Sequence, residues 1–567
     1  MRRETPPEAP RTRQVVAAAL TLLVLGAIGA VKAATAGASF MQDLELAEPP
    51  LAKRPPSLQD AHAPRLADRV FLVIIDGLRL DRSYELPFLD SLRRRGVDSE
   101  AQSHYPTWSR PNYVSILTGV PPTASGVRTN HHTTAVMLDS LMDRARAAHK
   151  KVAIVTDYGL IPQLFLRPRD PGEAFPPSDV EGTEDPLSPL AVHSPDARFA
   201  TPFDDARYVP WPGGFSEAGA ALVADDAQLV VMLISVVDAA GHARGADSPE
   251  YRAAAEIADR ALAGVLGHVD LDHDAIVITA DHGHTRRGGH GGVEPEVLSV
   301  PLVMAGAGIA PGTTADDARL IDLAPTVSAL LGMPAPGHGL GRTLVEVLHE
   351  PGDVRARLLD ADRARLADTQ QAVAAADARA ATVLLEDREW RIGVVAGGAL
   401  AALVLAALLI KRRVLRLDVR VLLVSVPAFF IVYYALIGTF GQRFSPSLLP
   451  ETGHLAGAMI EYGLAGTVAQ LAASLWALRN QGNLAQRLAA ANGIAWTGLM
   501  LTMIPAGLLW AFFPAPYLAV PGPVWLVLIP AVQVAVACAA VNVALVLAIE
   551  VIVFAARAWH RDGITLE

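Results

Sequence analysis

The 567-residue sequence has a single cysteine, Cys538, set inside a long apolar run. A lone cysteine excludes an intramolecular disulfide and a cysteine-rich zinc site, so any metal must be held by histidines and carboxylates. Positive charge is also in short supply: 48 Lys and Arg against 58 Asp and Glu leave a net charge of −10. That argues against nucleic-acid binding, which needs a basic surface. Internal repeats are missing as well. What the chain has in plenty is apolar residues, 51% of the total, with a mean hydropathy of +0.30. This composition fits a membrane protein with a sizeable soluble part.

Runs long enough to span a bilayer need roughly 20 apolar residues. The first candidate is 15–31, flanked by Arg2, Arg3, Arg11 and Arg13. It reads as an uncleaved anchor, although Ala34-Thr35-Ala36 also fits a signal-peptide cleavage site. Five more runs follow, at 392–410, 421–440, 454–478, 488–513 and 524–556. The connections alternate in charge. KRRVLRLDVR (411–420), RNQGNLAQR (479–487) and the tail with Arg557 and Arg561 are basic, whereas GQRFSPSLLPETG (441–453) has only Arg443. The positive-inside rule then puts residues 1–14, the basic loops and the tail 558–567 in the cytoplasm. A linker (32–68), a catalytic domain (69–350) and a helical neck (351–391) would lie outside it, ahead of five membrane helices within 392–557. The Ala- and Arg-rich composition suggests the inner or plasma membrane of a bacterium.

The outer region alternates strand-like and helix-like stretches. RVFLVIID (69–76), KKVAIVTD (150–157), AQLVVMLISVVD (227–238), HDAIVITAD (273–281) and VPLVMAG (300–306) are nearly continuous in apolar residues. Strands of a parallel sheet look like this when helices cover both faces. The expected fold is an α/β sandwich with a mostly parallel sheet. Residues 160–215, rich in Gly and Pro, resist assignment. Asp76, Asp238 and Asp281 each end a strand candidate, and sites in open α/β sheets form at the carboxyl ends of strands.

Each acid has company. Asp76 precedes Gly77. Asp238 stands four residues before His242 in DAAGH. Asp281 is followed by His282, His284 and a glycine-flanked His290 in ITADHGHTRRGGHGG (278–292). Taken singly, these are turn formers or solvated side chains. Taken together, the carboxylates of Asp76, Asp238 and Asp281 and the imidazoles of His242, His282 and His290 suit two Zn²⁺ ions, and a two-metal site can clamp both oxygens of a phosphoryl displacement. The stretch YPTWSRPNYVSILTG (105–119) reads as a loop entering a helix. Its hydroxyls, Thr107 and Ser109, are both candidate nucleophiles, and the helix amides can receive phosphate charge. A plain helix cap is the other reading of Ser109.

VIIDGLR, PTWSRPNYVSILTG, DAAGHARGADSPEY, TADHGHTRRGGHGG and IDLAPTVSALLGMP, in this order over about 69–345, resemble the alkaline phosphatase superfamily. The closest likeness is to the type I phosphodiesterase/nucleotide pyrophosphatase group and the GPI ethanolamine phosphate transferases. The resemblance implies an alkaline-phosphatase-like fold, with Ser109 rather than Thr107 as nucleophile. It implies one zinc on Asp76, Ser109, Asp281 and His282, and a second on Asp238, His242 and His290. His284 matches no ligand position. Asn112 matches an asparagine that holds a phosphate oxygen in the pyrophosphatase pattern PTxTFPN. Ser109-Arg110-Pro111 instead looks like the transferase pattern PTxSRPGH. The sulfatase branch is disfavoured, because its C/S-x-P-x-R motif is missing. Mn²⁺ also suits such ligands.

The expected function is a membrane-bound phosphotransferase that moves a phosphoethanolamine-like headgroup from a phospholipid to a glycolipid or glycan through a phosphoseryl enzyme. The runner-up is a tethered phosphodiesterase or nucleotide pyrophosphatase using the same intermediate. A scaffold with an inactive domain comes third. Five C-terminal spans are more than anchoring needs, which favours a lipid substrate. Glu461 and Glu550 fall inside spans, where an acid costs about 2.5–3.5 kcal/mol to insert. No obligate protein partner is inferred.

Overall fold

The structure, a computed structural model, describes residues 13–25, 54–130, 132, 135–157, 160–165, 205–208, 213–440, 445–448, 454–479 and 484–512, with isolated positions besides. Most of the last apolar run (524–556, with Glu550), the tail and most of the linker lie outside the described residues.

Eight strands form one sheet: β1 Arg69–Ile75, β2 Val97–Gln102, β3 Val152–Thr156, β4 Asp205–Tyr208, β5 Leu229–Ile234, β6 Asp274–Thr279, β7 Ser299–Gly306 and β8 Ala318–Arg319. Their order is β4-β3-β5-β1-β6-β7-β2-β8. From β4 to β6 every pairing is parallel. All six residues of β5 and of β6 are buried, as their unbroken apolar runs require when helices cover both faces. All five strands expected from the sequence are present. β7, however, runs antiparallel to both β6 and β2. The reason is local. The chain from Ala280 to Leu298 stays at the carboxyl end of β6, so β7 starts there and runs back. β2 (VDSEAQ) alternates buried and more exposed positions, a half-buried pattern too polar to read as a core strand. β8 has only two residues.

Seven helices matter for the site and the membrane region. They are α1 Arg13–Leu25, α2 Ser109–Thr118, α3 Val236–Arg244, α4 Gly352–Lys411, α5 Val419–Phe440, α6 His454–Leu478 and α7 Leu484–Phe512. The expected neck and second span are one continuous helix, α4, of 60 residues. Its first part is stitched to the catalytic domain. Arg365 donates to the carbonyls of Gly339 and Gly341 and to Asp362, and Asp362 accepts from the Thr343 N–H. Its last part is mostly exposed but leans on α7, where Arg391 donates to the Ala511 carbonyl and Trp390 meets Trp510 edge-on. Among the described residues, Glu386–Lys411, Val419–Thr439 and Ala485–Phe512 are long and apolar enough to cross a membrane. Leu403, Leu423 and Val468 are each about two-thirds exposed, so the bundle presents an apolar surface that water would not favour. α1 packs with it: Ala19 and Leu22 share a cluster with Val421, Leu478 and Ile494. Glu461 lies on α6 and is exposed.

Candidate active site

The carboxyl ends of β1 and β6 deliver Asp76 and Asp281 side by side, both buried. Asp238 arrives differently from expectation. β5 stops at Ile234, and Asp238 sits in the first turn of α3. On a helix, residues four apart share a face, so Asp238 and His242 point the same way, with Asp238 Oδ1 3.4 Å from His242 Nε2. Asp157, at the end of β3, fixes this helix by accepting the Ser235 N–H at 2.9 Å.

All the sequence-predicted ligands converge. His282 Nε2 lies 3.4 Å from Asp76 Oδ1, 3.2 Å from Asp281 Oδ2 and 3.1 Å from Ser109 Oγ. Asp238 Oδ1 lies 3.7 Å from His290 Nε2, which is 3.0 Å from His242 Nε2. The His282 and His290 rings stack at 3.7 Å, joining the two groups. Ser109 is the first residue of α2 and is 6% exposed.

The donor chemistry fits a cation. His282 Nδ1 donates to the Gly283 carbonyl and His290 Nδ1 to the Thr107 carbonyl, which leaves each Nε2 a lone pair facing the cluster. The other oxygen of each carboxylate is satisfied. Asp76 Oδ2 accepts from the Tyr113 hydroxyl, and Asp281 Oδ1 accepts from the Gly77 N–H at 3.1 Å. Asp76 Oδ1 and Asp281 Oδ2, turned toward His282 Nε2, are buried without a hydrogen-bond partner. Orphaned buried carboxylate oxygens are costly unless a positive charge meets them. The spacings of 3.1–3.4 Å around His282 Nε2 also approach the edge of a tetrahedron whose metal–ligand bonds are about 2.0–2.1 Å.

The electrostatics agree. Burial, with Asp281 and Asp238 close by, raises Asp76 well above the usual carboxylate range. Burial and the Asp238 charge push Asp281 up to about 7. Burial also works to raise Asp238, but His242 and His284 outweigh it and hold that carboxyl well below the usual range. His282 is pushed down to about 3 by burial, and His290 falls well below its ordinary value through burial and the neighbouring His282. Neutral imidazoles beside carboxylates are what metal ligation uses.

Thr107 is occupied elsewhere. Its hydroxyl donates to the Gly292 carbonyl at 2.9 Å and accepts the Gly291 N–H at 2.8 Å, so it ties the His290 loop to the Ser109 loop. Gly291, at φ +115°, lies against the Trp108 indole with no room for a Cβ. Asn112 Oδ1 accepts the His104 N–H, while its Nδ2 donates to the carbonyls of His104, Pro106 and Trp108. Its amide therefore staples the loop before Ser109 and is engaged there rather than in the cluster.

Other residues at the site had no ligand role from the sequence. His284 is fully buried, with Nε2 2.7 Å from Asp238 Oδ1, and its ring occupies the space a Cβ on Gly241 would need. Tyr113 and Asp157 left no sequence signal beyond their place after a motif and a strand. Asn130 accepts the Arg110 N–H at 3.0 Å beside Ser109.

Comparison with known proteins follows the same lines. Residues 70–293 match the family of type I phosphodiesterases and nucleotide pyrophosphatases. Every predicted ligand falls within that span. The chain is also similar to GPI ethanolamine phosphate transferase 1 of Emericella nidulans, at 26% identity over 54% of this chain and 36% of that protein. It is similar to the catalytic subunit of human GPI ethanolamine phosphate transferase 3, at 24% identity over 49% of this chain and 26% of that protein. The chain thus spans about a third or less of the length of these relatives. Solved structures with a likeness include murine ectonucleotide pyrophosphatase/phosphodiesterase 5, with a TM-score of 0.36, 15% identity and coverage of 50% of this chain and 100% of that one. The alkaline phosphatase PafA gives 0.37, 13%, 51% and 100% in the same terms.

Proposed function

We propose that this chain is a membrane-bound phosphotransferase that moves a phospho-headgroup, such as phosphoethanolamine, from a phospholipid to a hydroxyl of a glycolipid or glycan. The observation that carries the reading is Ser109 Oγ, buried at a helix N-terminus and 3.1 Å from His282 Nε2, beside two orphaned carboxylate oxygens. The similar transferases and the apolar helices support a lipid donor.

Asp76, Ser109, Asp281 and His282 would hold one Zn²⁺, and Asp238, His242 and His290 the other, with Mn²⁺ an acceptable substitute. When bound, these ions acidify a hydroxyl and neutralise phosphoryl charge. The chain's own residues do the rest. Ser109 Oγ gives up its proton and forms a bond to phosphorus. The bond to the lipid oxygen breaks, and diacylglycerol leaves with a proton. The acceptor hydroxyl then attacks the phosphoseryl group, restoring Ser109. The N-terminal turn of α2 favours the phosphate charge at this position. The catalytic domain would lie outside the cytoplasm.

The test uses phosphatidylethanolamine labelled in its headgroup, in vesicles with purified protein and zinc. Label on the protein, or on an added membrane glycolipid, is expected, with none in Ser109→Ala. Label released only as a soluble phosphomonoester would make water the acceptor and the chain a hydrolase. Untouched lipid beside a cleaved nucleotide diester would overturn the lipid reading.

A further inference from the structure

The segment between α5 and α6 reaches back to the catalytic cluster. Pro446–Leu448 forms a single 3-10 turn. Ser447 Oγ donates to Glu294 at 2.7 Å, and Ser445 Oγ donates to the other oxygen of the same carboxylate. Ser447 Oγ also accepts the Gly292 N–H at 3.0 Å. Gly292 is two residues beyond His290, and a Cβ there would lie 2.6 Å from both serine oxygens. The contact therefore depends on a glycine that the metal ligands themselves do not need.

Hydrogen bonds continue inward from this point. The Gly292 carbonyl accepts from Thr107, whose own carbonyl accepts from His290 Nδ1. Thr107 is two residues before Ser109. One short chain of bonds thus runs from the segment between α5 and α6 to His290 by way of Thr107, in the loop that carries Ser109. Glu294, Ser445 and Ser447 all lie beyond the 70–293 family match.

We propose that Ser445 and Ser447, through Glu294 and Gly292, are positioning residues that lock the His290 loop, so that the centre reaches its full metal affinity only when the membrane bundle is in place. This rests on the metal-dependent reading above. A lock of this kind acts as outer-shell partners do, whose loss weakens metal binding by roughly 10–100-fold.

The test compares full-length protein in detergent with Ser445→Ala/Ser447→Ala, Ser447→Thr and Gly292→Ala. Zinc affinity is measured by competition with a chromogenic chelator. The kcat and KM are measured on a soluble aryl phosphodiester. The double alanine variant and Gly292→Ala are expected to lose about tenfold or more in zinc affinity and in kcat. KM should stay within about twofold and the melting temperature of the zinc-free protein close to wild type, while Ser447→Thr, which keeps the hydroxyl, retains both. Zinc affinity at the wild-type level in the double variant would overturn the proposal, as would a loss confined to lipid substrate. If the wild-type protein binds no zinc, it is the metal reading that fails, and the two failures are told apart by that control.

Discussion

Two hydroxyls stand two residues apart, and the fold gives them separate tasks. Thr107 bonds twice to the His290 loop, whereas Ser109 Oγ faces the cluster. Thr107→Val keeps the shape but leaves the Gly291 N–H and the Gly292 carbonyl without this partner, at a cost of about 1–3 kcal/mol. It should lower the melting temperature and slow turnover without abolishing it. Ser109→Ala should abolish turnover while zinc stays bound, because six other side chains still face the two positions. Metal content with single-turnover kinetics separates the two variants. Full activity in Ser109→Ala would return attention to Thr107. The clustered acids and histidines were legible because such residues at strand ends have few packing reasons to be there. The bonds of Asn112 to the loop before Ser109 were not legible, because they depend on how that loop closes over it. The full burial of His284 was not legible, because its pocket is made by Gly77 and Gly241, from two other segments.

At the scale of elements, the carrier of Asp238 and His242 is a helix where a strand end was expected. The apolar run 227–238 hides the boundary, since β5 and the start of α3 are both buried. What fixes the boundary is Asp157. Burial pushes its carboxyl up to about 7 although it accepts the Ser235 N–H. A raised folded-state value means that the neutral acid suits the fold. This contribution to stability is complete below the unfolded value near 4 and is lost as pH rises through about 7. Across that window the unfolded state binds fewer protons, so stability falls by about 1.4 kcal/mol per pH unit from this group alone. Asp157→Asn keeps an acceptor for Ser235 and removes the titration. Denaturant melts of the two proteins between pH 4 and 8 should diverge, with the variant gaining on wild type as pH rises. Parallel profiles would mean that Asp157 is not protonated in the fold. The polar strand β2 and two-residue β8 were illegible for a simpler reason: neither carries an apolar run.

For the whole molecule, α4 is the element that joins chemistry to membrane. Sixty residues of helix reach about 90 Å, and the stretch long and apolar enough to cross a membrane lies within Glu386–Lys411. The start of the helix, through Arg365 and Thr369, is bonded to the sheet domain, so the two ends of one rod should sit on opposite sides of a bilayer. The basic stretch after it supports the cytoplasm for the far end. That end is held in place: the Arg416 N–H donates to the Ala489 carbonyl, and Asn492 donates to the carbonyls of Val414 and Val15. In a Cys538→Ser background, Asp353→Cys and Arg412→Cys place one thiol near each end of α4. An impermeant maleimide added to intact cells should label the first and reach the second only after permeabilisation. The reverse pattern would put the catalytic domain in the cytoplasm and remove outer-leaflet lipid from its reach. Labelling of both from outside would mean that α4 does not cross at all, and the Ser445–Ser447 contact would then need a route to Glu294 other than a membrane loop.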